Sequence, residues 1–87
     1  VRIANGTLFG LSAAFWTSDL SRAHRMARSL KAGVVWGNTV HLLPPDMPYG
    51  GIKQSGLGAE SGIEGMLDFM TAKSVIIATG GRVPSLL

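Results

Sequence analysis

Eighty-seven residues make at most one small domain, and the absence of cysteine excludes disulfides, thiolate metal sites and a cysteine nucleophile within them. An apolar share of 46% against 15% charged excludes a disordered chain, and no apolar run nears the ~18 residues that span a bilayer. The net charge of +3 invites an anionic partner, yet the basic residues collect on one helix face without interleaved aromatics, so nucleic acid is not expected.

The chain starts at Val1, which reads as a cut into a longer polypeptide, and Asn5-Gly6-Thr7 is a turn signal. From Leu8 to Trp16 apolar and aromatic residues are dense, and the second half of that run is predicted as a strand. Thr17, Ser18 and Asp19 supply capping oxygens for a helix. Its apolar stripe is Leu20, Ala23, Met26, Ala27 and Leu30, and Arg22, Arg25, Arg28 and Lys31 fill the other face. Gly33 is the expected stop, with Lys31 near the negative end of the dipole. Val34-Val35-Trp36 then reads as a second strand, so strand, helix and strand make a parallel β-α-β unit. A loop with Pro44, Pro45 and Pro48 follows, beyond the carboxyl end of that strand, where ligands gather in open α/β sheets. Ile63, Met66, Leu67 and Met70 return to helical spacing, with Glu60 and Glu64 in or near the first turn and Lys73 at the end. Ser74 to Thr79 reads as a final strand, and after Gly80-Gly81 a short loose tail is expected.

Among these residues few carry chemistry. Gly56, Gly58 and Gly62 miss the dinucleotide fingerprint by one residue and follow a loop instead of a strand, so they read as a turn feeding a helix. Ser55 lacks the nucleophile elbow and an evident base, and reads as a turn hydroxyl that satisfies backbone groups. Neither His24 nor His41 has a sequence-adjacent partner for acid–base or metal chemistry, although His41 lies in the candidate ligand loop. Leu42, Leu43 and Tyr49 are apolar or aromatic beside prolines, so they either cover a core or line a pocket.

The order of several blocks is more specific than any one of them. Ala4-Asn5-Gly6-Thr7 precedes Gly10-Leu11-Ser12-Ala13-Ala14-Phe15-Trp16-Thr17, and Ala32-Gly33-Val34-Val35-Trp36-Gly37-Asn38 comes next. Met47-Pro48-Tyr49-Gly50-Gly51, Lys53, Ser55-Gly56-Leu57-Gly58, Glu60, Gly62 and Lys73-Ser74-Val75 complete the series. In this order and at these separations the chain resembles the C-terminal portion of NAD(P)-dependent aldehyde dehydrogenases.

That resemblance implies a C-terminal fragment of the aldehyde dehydrogenase α/β fold: a parallel β-α-β unit, a loop, a helix and a final strand. Residues 1–73 would end the catalytic domain, and residues 74–87 would be an oligomerisation strand and tail. The family oxidises aldehydes through a cysteine thiohemiacetal, hydride transfer to NAD or NADP, and glutamate-assisted hydrolysis. None of those blocks occurs here, so the segment is expected to be inactive alone and to bind no cofactor itself. By position, Leu43 and Tyr49 match sites that wall the aldehyde tunnel, where aromatic residues are common, and His41 lies in the same substrate loop. Ala59 departs from the pattern, since an arginine or lysine commonly precedes the glutamate there. The implied partners are the rest of the polypeptide, a small aldehyde and further copies in a cytoplasmic dimer or tetramer, with neither nucleic acid nor membrane. The alternative is a non-catalytic assembly module that docks by strand addition.

Overall fold

The computed structural model describes residues 1–81, and the tail expected after Gly81 lies outside them. Asp19 opens α2 (Leu20–Ser29) because its carboxylate accepts the Arg22 N–H at 2.9 Å, satisfying one of the donors a helix start leaves free. On either side of α2 lie β2 (Ser12–Phe15) and β3 (Val34–Gly37), paired in parallel with Ser12 opposite Val34 and Phe15 opposite Gly37. The pairing runs on at both ends, since Val34 N–H donates to Leu11 C=O and Asn38 N–H to Phe15 C=O. The β-α-β unit is therefore present, with α2 packed on β3.

Helix α2 stops at Ser29, before the Gly33 that its sequence suggests. The cause is Asn5, at the end of α1 (Arg2–Asn5), a short helix that the turn signal at Asn5-Gly6 does not announce. Its side-chain nitrogen donates to the Ser29 carbonyl and its oxygen accepts the Lys31 N–H, both at 2.8 Å. Those two bonds satisfy groups a longer helix would have used, and Leu30 turns extended with ψ 125°. Leu30 thereby becomes the one large apolar side chain buried among the described residues, at 8% exposure. Gly33 serves a different purpose: a Cβ there would lie 1.7 Å from the Gly50 carbonyl oxygen. The two backbones meet so closely that no side chain fits between them.

A second small sheet pairs β1 (Phe9–Gly10) antiparallel with β4 (Ile52–Lys53), bringing the glycine-rich loop against the chain's start. Ser55 accepts the Gly10 N–H on its hydroxyl at 2.9 Å, the backbone-satisfying role expected of it. Lys53 Nζ, 3.3 Å from the Asn5 carbonyl, reaches the end of α1.

The last helix, α3 (Gly62–Leu67), is shorter at both ends than its apolar spacing suggests. Glu60 lies outside it, because its backbone forms an antiparallel bridge with Tyr49. At the other end Phe69 and Met70 donate to carbonyls three residues back, a tightening that closes the helix before Lys73. Asp68 folds back to accept the Ala59 N–H at 2.7 Å. Ser74 to Thr79, predicted as a strand, pairs with nothing among the described residues. A strand is defined by its partner, and this segment meets none within the described chain.

The total accessible surface is 7590 Å², whereas a folded monomer of this mass exposes about 4,900 Å². Leu20, Phe69, Ile76 and Ile77 are among the apolar side chains left in solvent.

Candidate functional site

Beside β3 and the loop leaving its carboxyl end lies a cleft of about 350 Å³. Val34 and Val35 form its floor, Leu42, Leu43, Pro44 and Met47 one wall, and Tyr49 with Glu60 another side. Two residues let the loop turn back over the strand: Asn38 and His41 both adopt left-handed backbone, with φ 59° and 60°. Asn38 tolerates this because its side chain accepts the Thr17 N–H at 2.8 Å, locking the exit of β3 to the end of β2.

Trp36 holds the wall in place. Its indole N–H donates to the Leu42 carbonyl at 2.8 Å, and the His41 ring stacks on it with centroids 5.8 Å apart and planes 3° from parallel. Leu43 and Tyr49, two of the three substrate residues expected from the sequence, come together in the cleft. His41 sits against Trp36 and is not part of the lining. In the sequence Trp36 is legible only as a strand residue. Its indole bond spans six residues and depends on a left-handed turn at His41, which the residue types do not announce.

Tyr49 is fixed by a reciprocal pair of bonds. Its N–H donates to the Glu60 carbonyl at 2.7 Å, and the Glu60 N–H returns to the Tyr49 carbonyl at 2.8 Å. Gly62 N–H donates to Pro45 C=O at 2.9 Å, which ties the start of α3 to the same loop. The glycine turns between them, with φ 104° at Gly56 and 89° at Gly58, do not make a dinucleotide cradle. Only the two-residue β4 precedes them, and α3 has six residues with Glu64 in its first turn, set against any phosphate. These glycine turns do not fit the phosphates of NAD or NADP.

A family model described as the aldehyde dehydrogenase family matches residues 1–75. The chain belongs to the aldehyde dehydrogenase family. It is 47% identical over 77 residues to betaine aldehyde dehydrogenase 1 of Rhizobium meliloti, and 44% identical over 78 residues to phenylacetaldehyde dehydrogenase of Pseudomonas fluorescens. Those matches cover 88% and 90% of this chain and 16% of each relative. Crystal structures of the family superpose closely. PnpE from Pseudomonas sp. WBC-3 gives a TM-score of 0.86 at 39% identity, covering 98% of this chain and 18% of that one. Betaine aldehyde dehydrogenase of Staphylococcus aureus, solved with NAD+, gives 0.87 at 36%, covering 94% of this chain and 16% of that one. The α/β fold and family expected from the ordered blocks are therefore established. No described helix is long and apolar enough to cross a membrane.

Proposed function

We propose that the chain is a C-terminal segment of an enzyme that oxidises an aldehyde to a carboxylic acid with NAD or NADP, and that it supplies part of the wall of the substrate tunnel. The observation that carries this is the apolar cleft beside β3, lined by Leu43 and Tyr49, in a chain of this family. Tyr49 presents a rigid aromatic face, Leu43 adds aliphatic surface, and His41 acts on the aldehyde loop through Trp36. NAD or NADP would accept the hydride, and its site would lie in residues outside these 87. The nucleophile would also come from there, since the chain has no cysteine.

Residues 1–73 act in this reading as the end of a catalytic domain, and the stretch from Ser74 meets another copy in a cytoplasmic dimer or tetramer. Val75, Ile76 and Ile77 are exposed and pair with nothing among the described residues, which supports a strand that completes a sheet between subunits. The same observation favours the second reading, an assembly module without catalysis.

Two measurements separate these. The purified chain with NAD or NADP and a panel of aldehydes should yield no reduced cofactor, and steady turnover would contradict its expected inactivity. Residues 1–75, grafted in place of their counterpart in the Rhizobium meliloti enzyme, should leave an NAD-dependent aldehyde oxidation. A graft that folds, assembles and binds NAD but oxidises no aldehyde would favour the assembly module.

A further inference from the structure

On the reading above that the cleft receives the aldehyde, we infer that His41 is a positioning residue for the cleft wall. Its ring, stacked on Trp36, sets the place of Leu42 and Leu43, and it acts on substrate binding without touching substrate. The backbone carries the first sign. Asn38 and His41 both lie in the left-handed region, with φ 59° and 60°, a conformation that costs any side chain larger than that of glycine. At Asn38 a side-chain bond offsets the cost, since its oxygen accepts the Thr17 N–H at 2.8 Å. What His41 gains is an aromatic face: its ring lies over Trp36 with centroids 5.8 Å apart and planes 3° from parallel. Glycine would make the same turn without strain, so the turn alone does not require an imidazole.

Trp36 turns that stack into the geometry of the wall. It stands on β3, whose register is fixed by parallel pairing with β2, Ala14 lying opposite Trp36. The indole N–H donates to the Leu42 carbonyl at 2.8 Å, while the indole face carries His41, the residue just before Leu42. Two successive loop residues are thus held on one side chain, one by its backbone and the other by its ring. Leu43 follows at once and lines the cleft with Leu42, so a loop that slips off the indole takes both away from their places. Dispersion contacts fall off steeply with separation, and a gap of about 0.5–1 Å already forfeits a quarter to a half of each. The His41 ring itself stays out of the lining, so its effect falls on how tightly the aldehyde is held and not on the reacting atoms. Flatness is the property required of it. A planar ring at this position keeps the stack, and a side chain without one loses it.

The test uses the graft of residues 1–75 in the Rhizobium meliloti enzyme, with KM and kcat measured for hexanal, phenylacetaldehyde and betaine aldehyde at saturating NAD. The urea midpoint is read beside them. His41→Gly relieves the turn and removes the ring, which separates a positioning role from a merely structural one. It should raise KM about two- to tenfold, the size of a lost ring–ring contact, with kcat held within about twofold and the urea midpoint not lowered. His41→Tyr restores a flat ring and should keep KM within about twofold of the parent graft. An unchanged KM in His41→Gly overturns the inference, as does an equal rise in His41→Gly and His41→Tyr, or a rise that comes with a fallen midpoint. Leu43→Ala distinguishes that failure from failure of the cleft reading. If it raises KM, the cleft still receives the aldehyde and only the role of His41 falls. If it too leaves KM unchanged for all three aldehydes, both are overturned. Where the long graft does not fold, Val34 to Tyr49 alone, which keeps Trp36, His41 and Leu43 together, is placed in the same enzyme, and the same comparisons support or overturn the inference.

Discussion

The two ends of this chain solve the problem of a small core in opposite ways. Around α2, short polar contacts fix the geometry: Asn5 closes the helix end, Asp19 opens it, and Asn38 ties the loop to β2. Beyond Met70 the described residues have no comparable set of contacts, and Phe69 and Ile76 are each 95% exposed. Two parallel strands with one covering helix cannot close a core, so side-chain-to-backbone bonds determine the conformation there. The far end has the apolar residues for burial but no surface among the described residues to bury them against. The first region is specified internally, and the second, among the described residues, is not.

Substitutions in the grafted enzyme can break that comparison, and the largest effect belongs to Gly33. Gly33→Ala forces a methyl into the Gly50 carbonyl and should cost roughly 3 kcal/mol or more, read as a fall in the urea midpoint. Asn5→Ala removes both bonds at the α2 terminus and should cost about 1–3 kcal/mol, chiefly because it strips a partner from the part-buried Ser29 carbonyl, the Lys31 N–H being exposed. A loss below a few tenths would show that the helix end holds itself. Asp19→Ala should cost about 1 kcal/mol through the lost cap, and Asp19→Ser should recover most of it. At the other end, Val75→Ser in the isolated chain should change stability by less than about 0.5 kcal/mol. The same change in the assembled enzyme should weaken subunit association, measured by light scattering on dilution. Equal effects in both settings would mean the segment is folded onto its own chain.

Much of the first region is legible in the residues. The Thr17-Ser18-Asp19 cap, the β-branched run at Val34 and the β-α-β order all emerge from local pattern, because each depends on neighbours in sequence. The end of α2 is not legible, since it is set by Asn5 across 24 residues. Gly33 misleads: a glycine near a helix end looks like a stop, and here it marks two backbones in contact. Glu60 suits the start of a helix by charge, yet Tyr49 draws its backbone into a bridge. In the cleft, Leu43 and Tyr49 can be found from loop composition and family position. The Trp36–His41 stack cannot, because it depends on two left-handed residues that are not glycine.

The Tyr49–Glu60 bridge has a consequence for how this chain can be lengthened. Between its ends the backbone is tied again, by β4 on β1 and by Ser55 on Gly10, and only then reaches the bare tip at Gly56-Leu57. Leu57 touches almost nothing, and a Cβ on Gly56 would meet nothing within 4 Å. A peptide spliced at that tip is insulated from Tyr49 by these successive clasps, and doubling such a loop costs only about 0.6 kcal/mol in closure entropy. The tip is thus a natural port for an epitope or a fluorophore, one that leaves the aromatic gatepost of the cleft where it stands.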